Sequence, residues 1–341
     1  ALAGNVQAAE IRSVGPDGEA AVDASTIELT DDQIAQIKEG GYTAAICLHY
    51  GGNDWSTSQQ KGLEDTFGEL GIEIVAVTDA NFSAETQVSN IETVMAKKPD
   101  ILVSIPTDAT ATADAYKQAA AAGIKIVFMD QRADGLEAGK DYVSVVSADN
   151  YGNGYASGTV LGDALGGKGK VAMVYYDANF APTNQRDEGF RDAMKNYPDI
   201  EIVTEQGFTD ESGCAEQGDA ILTQFPNIDG IYASWDVPME GVLSAVRAAG
   251  MEGKVTLACN DLGNNVAREI ASGNIAGGGA QMPYDQGVAE AKLAALALLG
   301  EETPSYVAVP AETVTHENVL EAYTDVYHVE TPDWLKEAYV E

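Results

Sequence analysis

The sequence predicts an α/β protein made of two doubly wound, parallel-sheet lobes that share one cleft. Short β-branched runs alternate with Ala- and Glu-rich stretches of helical length, the pattern of a parallel sheet covered on both faces. That pattern is written twice. GLEDTFGELGIEIV (62–75) reads against GFRDAMKNYPDIEIV (189–203), and KPDILVSIPTD (98–108) against NIDGIYASWD (227–236). The offset stays at 127 to 128 residues across the unit, so the chain holds two copies of one fold and not a solenoid. A length of 341 residues is enough for two separate cores.

Taken in order, residues 1–40 are acidic, contain Gly and Pro, and read as a tether ending in one short helix, Thr30–Glu39, with Thr30 as its N-cap. The first copy supplies strands at Thr43–His49, Glu73–Val77, Ile101–Ile105, Lys125–Met129 and Tyr142–Ser147. The second supplies Lys170–Tyr175, Glu201–Thr204, Gly230–Ser234, Lys254–Cys259 and Ile275–Ala280. Glycine-containing turns such as Gly123 and Gly166–Gly169 separate them. The last stretch, Thr313–Glu341, is rich in aromatics (Tyr323, Tyr327, Trp334, Tyr339) and is expected to pack on a lobe surface.

Charge narrows the function classes. With 19 basic and 54 acidic side chains the net charge is −35, spread along the chain, which repels phosphate backbones and anionic lipid and argues against nucleic-acid partners. No apolar run reaches membrane-spanning length, and no leader-like segment opens the chain, which fits a cytoplasmic protein or a mature exported one. Three cysteines, Cys47, Cys214 and Cys259, stand far apart and form no CxxC pair; two of them lie in apolar strand runs. The histidines, His49, His316 and His328, lack metal-ligand spacing, and no cofactor is expected.

Two phosphate-loop lookalikes fail on context. GDALGGK (162–168) has Gly169 where a magnesium-binding hydroxyl belongs, and it precedes a strand instead of following one. YGNGYASG (151–158) misses the GxGxxG spacing by one residue. There is no GxSxG, and the Cys47–His49 pair sits in the buried-looking run AAICLHY.

The informative chemistry collects at strand ends, where ligands bind in open α/β sheets. In LHYGGNDWSTSQQKGL (48–63) the loop after the first strand carries Asn53 and Trp55. Asp108, then Asp130 and Gln131, end later strands of the first copy, and Asp149 and Asn150 occupy the crossing region. In the second copy the corresponding places hold Asn184 and Arg186, Phe208, Trp235 and Asp236, Asn260 and Asp261, and Gln281. Carboxylates and amides exchange hydrogen bonds with hydroxyls, while flat rings cover the C–H faces of a sugar or polyol. Each of these residue types is also an ordinary loop or cap residue. Their recurrence in both copies is what singles them out.

Taken together, NDWSTSQQKGLED, IPTDATATADAYKQAAAAGIKIVFMDQ, VSADNYGNGYASG, RDEGFRDAM, SWDVPMEGVLSAVRAAG and CNDLGNN…AQMPYDQG resemble the type I periplasmic solute-binding proteins of ABC sugar importers, most of all the ribose-binding-like group, over residues 43 to 310. The resemblance implies a non-enzymatic, monomeric binding protein outside the cytoplasm, lipoprotein-anchored in some organisms, that delivers a sugar or polyol to an ABC permease. It implies an N-terminal lobe of residues 41–148 and 283–310, a C-terminal lobe of 149–282 and 311–341, and three hinge crossings near Ser147–Asn150, Gln281–Pro283 and Val309–Thr313. By position, Asn53 and Trp55 resemble the family's first-loop amide and aromatic, Asp130 its carboxylate, Phe208 its second-lobe aromatic, and Asp261 with Gln281 its closing acid and amide. The chain departs from the ribose pattern at Ile105, Gln131, Asn184 and Trp235, which makes its site less cationic and more aromatic and leaves ribose itself in doubt. An enzyme acting on a sugar in the same cleft, or a ligand sensor for a chemoreceptor or kinase, is the rival reading.

Overall fold

The structure, a computed structural model, describes residues 10–341. The first lobe begins with β1 (Val22–Asp23) and α1 (Asp31–Gly40). It continues through β2 (Thr43–Leu48), α2 (Asp54–Glu69), β3 (Glu73–Asp79), α3 (Ala84–Ala96), β4 (Ile101–Ser104), α4 (Ala113–Ala121), β5 (Lys125–Met129) and β6 (Ser144–Ala148). The second runs through α5 (Asn150–Ala164), β7 (Lys168–Tyr176), α6 (Ala181–Met194), β8 (Asp199–Phe208), α7 (Ala215–Gln224), β9 (Gly230–Ala233), α8 (Asp236–Ala248), β10 (Thr256–Cys259), α9 (Asn264–Ala271) and β11 (Gly277–Ala280). The chain then returns to the first sheet with α10 (Pro283–Leu298) and β12 (Tyr306–Val309), and ends on the second with β13 (Glu312–Thr315), α11 (Val319–Tyr327) and α12 (Asp333–Ala338).

The two sheets repeat the same order over five strands and differ at one edge. The first has the order β1-β12-β6-β5-β4-β2-β3 and the second β13-β11-β10-β9-β7-β8. Among the described residues, all strand pairings are parallel except β11 with β13. Central strands such as AAICL in β2 are buried on both faces, as a sheet covered by helices on each side requires. The duplication extends to an irregularity. The register of β2 on β3 slips between Ala44 and Ala45, and that of β7 on β8 slips between Val171 and Ala172, 127 residues on.

Helix entries follow their capping chemistry. Thr30 closes a capping box with Gln33 at the start of α1, and Asn53 and Ser83 cap α2 and α3 through their side chains. The chain passes between sheets three times: from β6 to α5, from β11 to α10, and from β12 to β13.

Three strands escape the sequence reading. β1 is only two residues long, β12 ends where the third crossing is expected to begin, and β13 is an edge strand on Gly277–Ala280. The N-terminal stretch, expected as a tether, is packed where it is described: β1 extends the first sheet beside β12, and Ser13 is buried. The physical cause is local polarity, since much of what holds it is polar, with hydrogen bonds to Asp149 and an ion pair from Asp17 to Arg132. The part of that expectation covering residues 1–9 lies outside the described residues. The C-terminal aromatic stretch joins the second lobe's core, with Tyr323 and Leu335 buried.

Candidate ligand-binding site

The carboxyl ends of both sets of strands meet around one cavity of about 40 Å³ between the lobes, at the place where ligands bind in open α/β sheets. The first lobe contributes His49, Tyr50, Trp55, Phe82, Ile105 and Asp130. Tyr176, Phe180, Thr183, Arg186, Trp235 and Asp261 come from the second, and Gln281 from the crossing after β11.

Six of the twelve residues expected at the site line this cavity: Trp55, Asp130, Arg186, Trp235, Asp261 and Gln281. Three of them, Trp55, Gln281 and Asp261, form a hydrogen-bonded chain. The Trp55 indole N–H donates to Gln281 Oε1 at 3.0 Å, and the Gln281 amide donates to Asp261 Oδ1. Arg186 is fixed from behind, its Nε donating to Asn150 Oδ1 at 3.0 Å and an Nη to the Ser234 carbonyl at 3.3 Å. Asp130 Oδ1 accepts from Ser147 Oγ and the Ala148 N–H, at 3.0 and 3.2 Å.

The other six do not line this cavity. Asn53 spends its carbonyl on the Ser56 N–H as the cap of α2 (2.9 Å) and does not line the cavity. Gln131 instead ties the lobes together, donating to the Pro106 carbonyl at 2.9 Å and accepting from the Ala181 N–H at 3.1 Å. Asp149 caps α5 and holds the N-terminal segment. Asn184 is exposed on α6, because the inward face of that helix is taken by Thr183 and Arg186. Phe208 stands behind the wall, its ring 5.7 Å from Tyr176 and 5.2 Å from Trp235. Asp236 turns away to accept from the Gly263 N–H at 2.9 Å.

His49, Tyr50, Phe82, Tyr176, Phe180 and Thr183 line the cavity without having been singled out as binding residues, and Ile105 does so at a position noted only as a departure. Their signal is weak: His49 and Tyr50 directly follow β2 and Tyr176 is the last residue of β7, so strand ends alone would have found three. The rings interlock across the lobes. His49 lies parallel to Phe180 at 5.8 Å, and Phe82 sits 6.2 Å from Tyr176.

Enclosure sets the electrostatics. Burial raises the carboxyl pKa of both Asp130 and Asp261, and the Arg186 guanidinium pulls both back. Burial, reinforced by Arg186, pushes His49 down to about 3, so its imidazole is neutral. The cavity thus offers one cation, two carboxyls and an amide along an edge, with rings over the rest. That arrangement suits a ligand with hydroxyls at its rim and C–H groups on its faces.

A family model described as the periplasmic binding protein domain matches residues 43–302. Among curated proteins, the D-ribose/D-allose-binding protein of Pseudomonas aeruginosa is 29% identical over 77% of this chain and 83% of its own. The ribose import binding protein of Bacillus subtilis is 27% identical over 62% and 67%. Among solved structures, an ABC transporter periplasmic solute-binding protein from Actinobacillus succinogenes with bound D-allose superposes with a TM-score of 0.75 at 29% identity, covering 82% of this chain and 99% of its own. One from Agrobacterium vitis, bound with α-D-tagatopyranose, gives 0.77 at 26% identity over 86% and 100%. The duplicated sheets, the shared cleft and a match over most of the chain lead to one conclusion: this chain belongs to the periplasmic binding protein family, whose fold it carries as two lobes joined by three crossings.

Proposed function

We propose that the protein captures a neutral sugar or polyol between its lobes and presents the closed form to an ABC importer outside the cytoplasm. The observation that carries this reading is the cavity itself. It is walled by both lobes, with seven aromatic or imidazole rings against Asp130, Arg186 and the linked Gln281–Asp261 pair. A ligand touching both walls favours closure by its differential affinity for the closed form. The related proteins named above are binding proteins, and the neutral, buried His49 is no proton carrier near pH 7. Both walls belong to one chain, so a monomer suffices, and the acidic N-terminal stretch is in keeping with a surface anchor.

A thermal-shift screen against pentoses, hexoses and polyols tests the reading, because a ligand held only by the folded state raises the melting temperature. For the sugar that shifts most, Trp55→Ala should weaken binding in calorimetry by roughly 1–3 kcal/mol through lost ring burial. A screen with no shift from any of these compounds, at millimolar concentration, would count against the proposal.

A further inference from the structure

The segment ahead of the family match touches both lobes. At one end the Arg12 and Ser13 N–H groups donate to the Asp149 carboxylate at 2.9 and 3.0 Å. Ser13 Oγ donates to the same carboxylate at 2.7 Å and accepts from the Tyr151 N–H at 3.0 Å. The Arg12 guanidinium lies over the Tyr155 ring, 4.1 Å from its centroid. Asp149 caps α5, and Tyr151 and Tyr155 are on it, so this end is held by the second lobe. At the other end Asp17 makes a two-point ion pair with Arg132 of the first lobe, both contacts 2.8 Å, and β1 joins the first sheet beside β12. Between the ends, Val14 pairs with Ala20 to close a turn. Val14 and Pro16 wall a pocket between Gln131–Arg132 on one lobe and Asn179, Ala181 and Gln185 on the other. Asp130 lines both this pocket and the ligand cavity.

We propose that residues Arg12–Asp23 act as a strap that restrains the hinge and holds the lobes near the separation seen here, regulating the cavity by lowering the cost of closing it. The inference rests on the clamp reading and deepens it. A hinge motion moves Tyr155 and Gln185 relative to Arg132, so one end of the strap has to let go. Two-point Arg–carboxylate geometry and three hydrogen bonds to a buried carboxylate oppose that release. For a protein whose binding-competent form is only partly populated, apparent affinity scales with that population, so a strap favouring closure tightens binding without touching the ligand.

The test reads lobe separation with no ligand present. Spin labels at Glu85→Cys and Glu216→Cys, both exposed and one on each lobe, report the interlobe distance by double electron–electron resonance. The native cysteines are buried. Adding Arg12→Ala and Asp17→Ala should lengthen the mean distance and broaden its distribution, and an unchanged distribution would overturn the strap. If that double variant fails to fold, Arg132→Gln cuts only the first-lobe end and is read in the same way. The measurement needs no sugar, so a failed ligand screen would sink the transport reading while leaving this result to stand or fall alone.

Discussion

Three residues reach into the cavity from left-handed backbones: Phe82 (φ 61°), Asp130 (φ 59°) and Asp261 (φ 73°). Such conformations cost a non-glycine residue on the order of 1–3 kcal/mol and persist where the surroundings impose them. Asp130 directly follows β5, and Asp261 is the second residue after β10, its counterpart in the other sheet, so both lobes turn an acid inward by the same device. Asparagine tolerates this backbone and matches aspartate in size. Asp261→Asn also removes a charge that burial disfavours. At pH 7 this variant should melt no lower than the parent, yet bind sugar more weakly by about 1.5–3 kcal/mol, the worth of a charged hydrogen bond. Paired melting and calorimetry separate the two effects. Sequence reading found these acids because they end strands. It misplaced Asn184 because helix phase, and not chain position, decides which side of α6 faces the cavity, and it missed Phe82 because nothing local announces a bulky residue with positive φ.

At the scale of elements, the glycine-rich run at the start of α5 finds its explanation in packing. A Cβ at Gly154 would lie 1.7 Å from the Arg186 carbonyl, and one at Gly189 would lie 2.1 Å from the Tyr151 carbonyl. The spacing that imitates a dinucleotide fingerprint is the footprint of α6 pressed against α5, which sets the height of Arg186 over the cavity. Gly154→Ala should therefore destabilise the protein by about 1–3 kcal/mol through overpacking. It should also weaken sugar binding, because α6 must retreat and carry Arg186 with it. Chemical denaturation and calorimetry check both, and loss of stability with unchanged affinity would uncouple the helix contact from the site. The parallel strands were legible from composition because both their faces are buried. β12 and β13 were not, because they fall outside the two repeated units, and β13 is an antiparallel edge strand.

For the molecule as a whole, buried acids tie stability to pH. Asp187 accepts from Ser234 Oγ at 2.6 Å and from the Tyr232 hydroxyl at 3.1 Å, and burial raises its pKa from 3.8 to about 6. The folded state thus holds this proton more tightly than the unfolded chain. Its contribution to stability is full below pH 4 and is lost as pH rises through 6. Asp187→Asn should show a shallower fall in melting temperature over that window, and an identical slope would mean other groups govern it. The two-lobed plan was readable because the chain repeats itself. The strap was not, because it belongs to neither copy. The slip in register recurs at the same step of both halves, 127 residues apart. The repeated sequence therefore reproduces its backbone irregularity along with its strands. Such a pair of halves would show a guest two like walls. The lone guanidinium of Arg186 on one side and Ile105 on the other make those walls unlike, which lets the cavity tell one end of a molecule from the other.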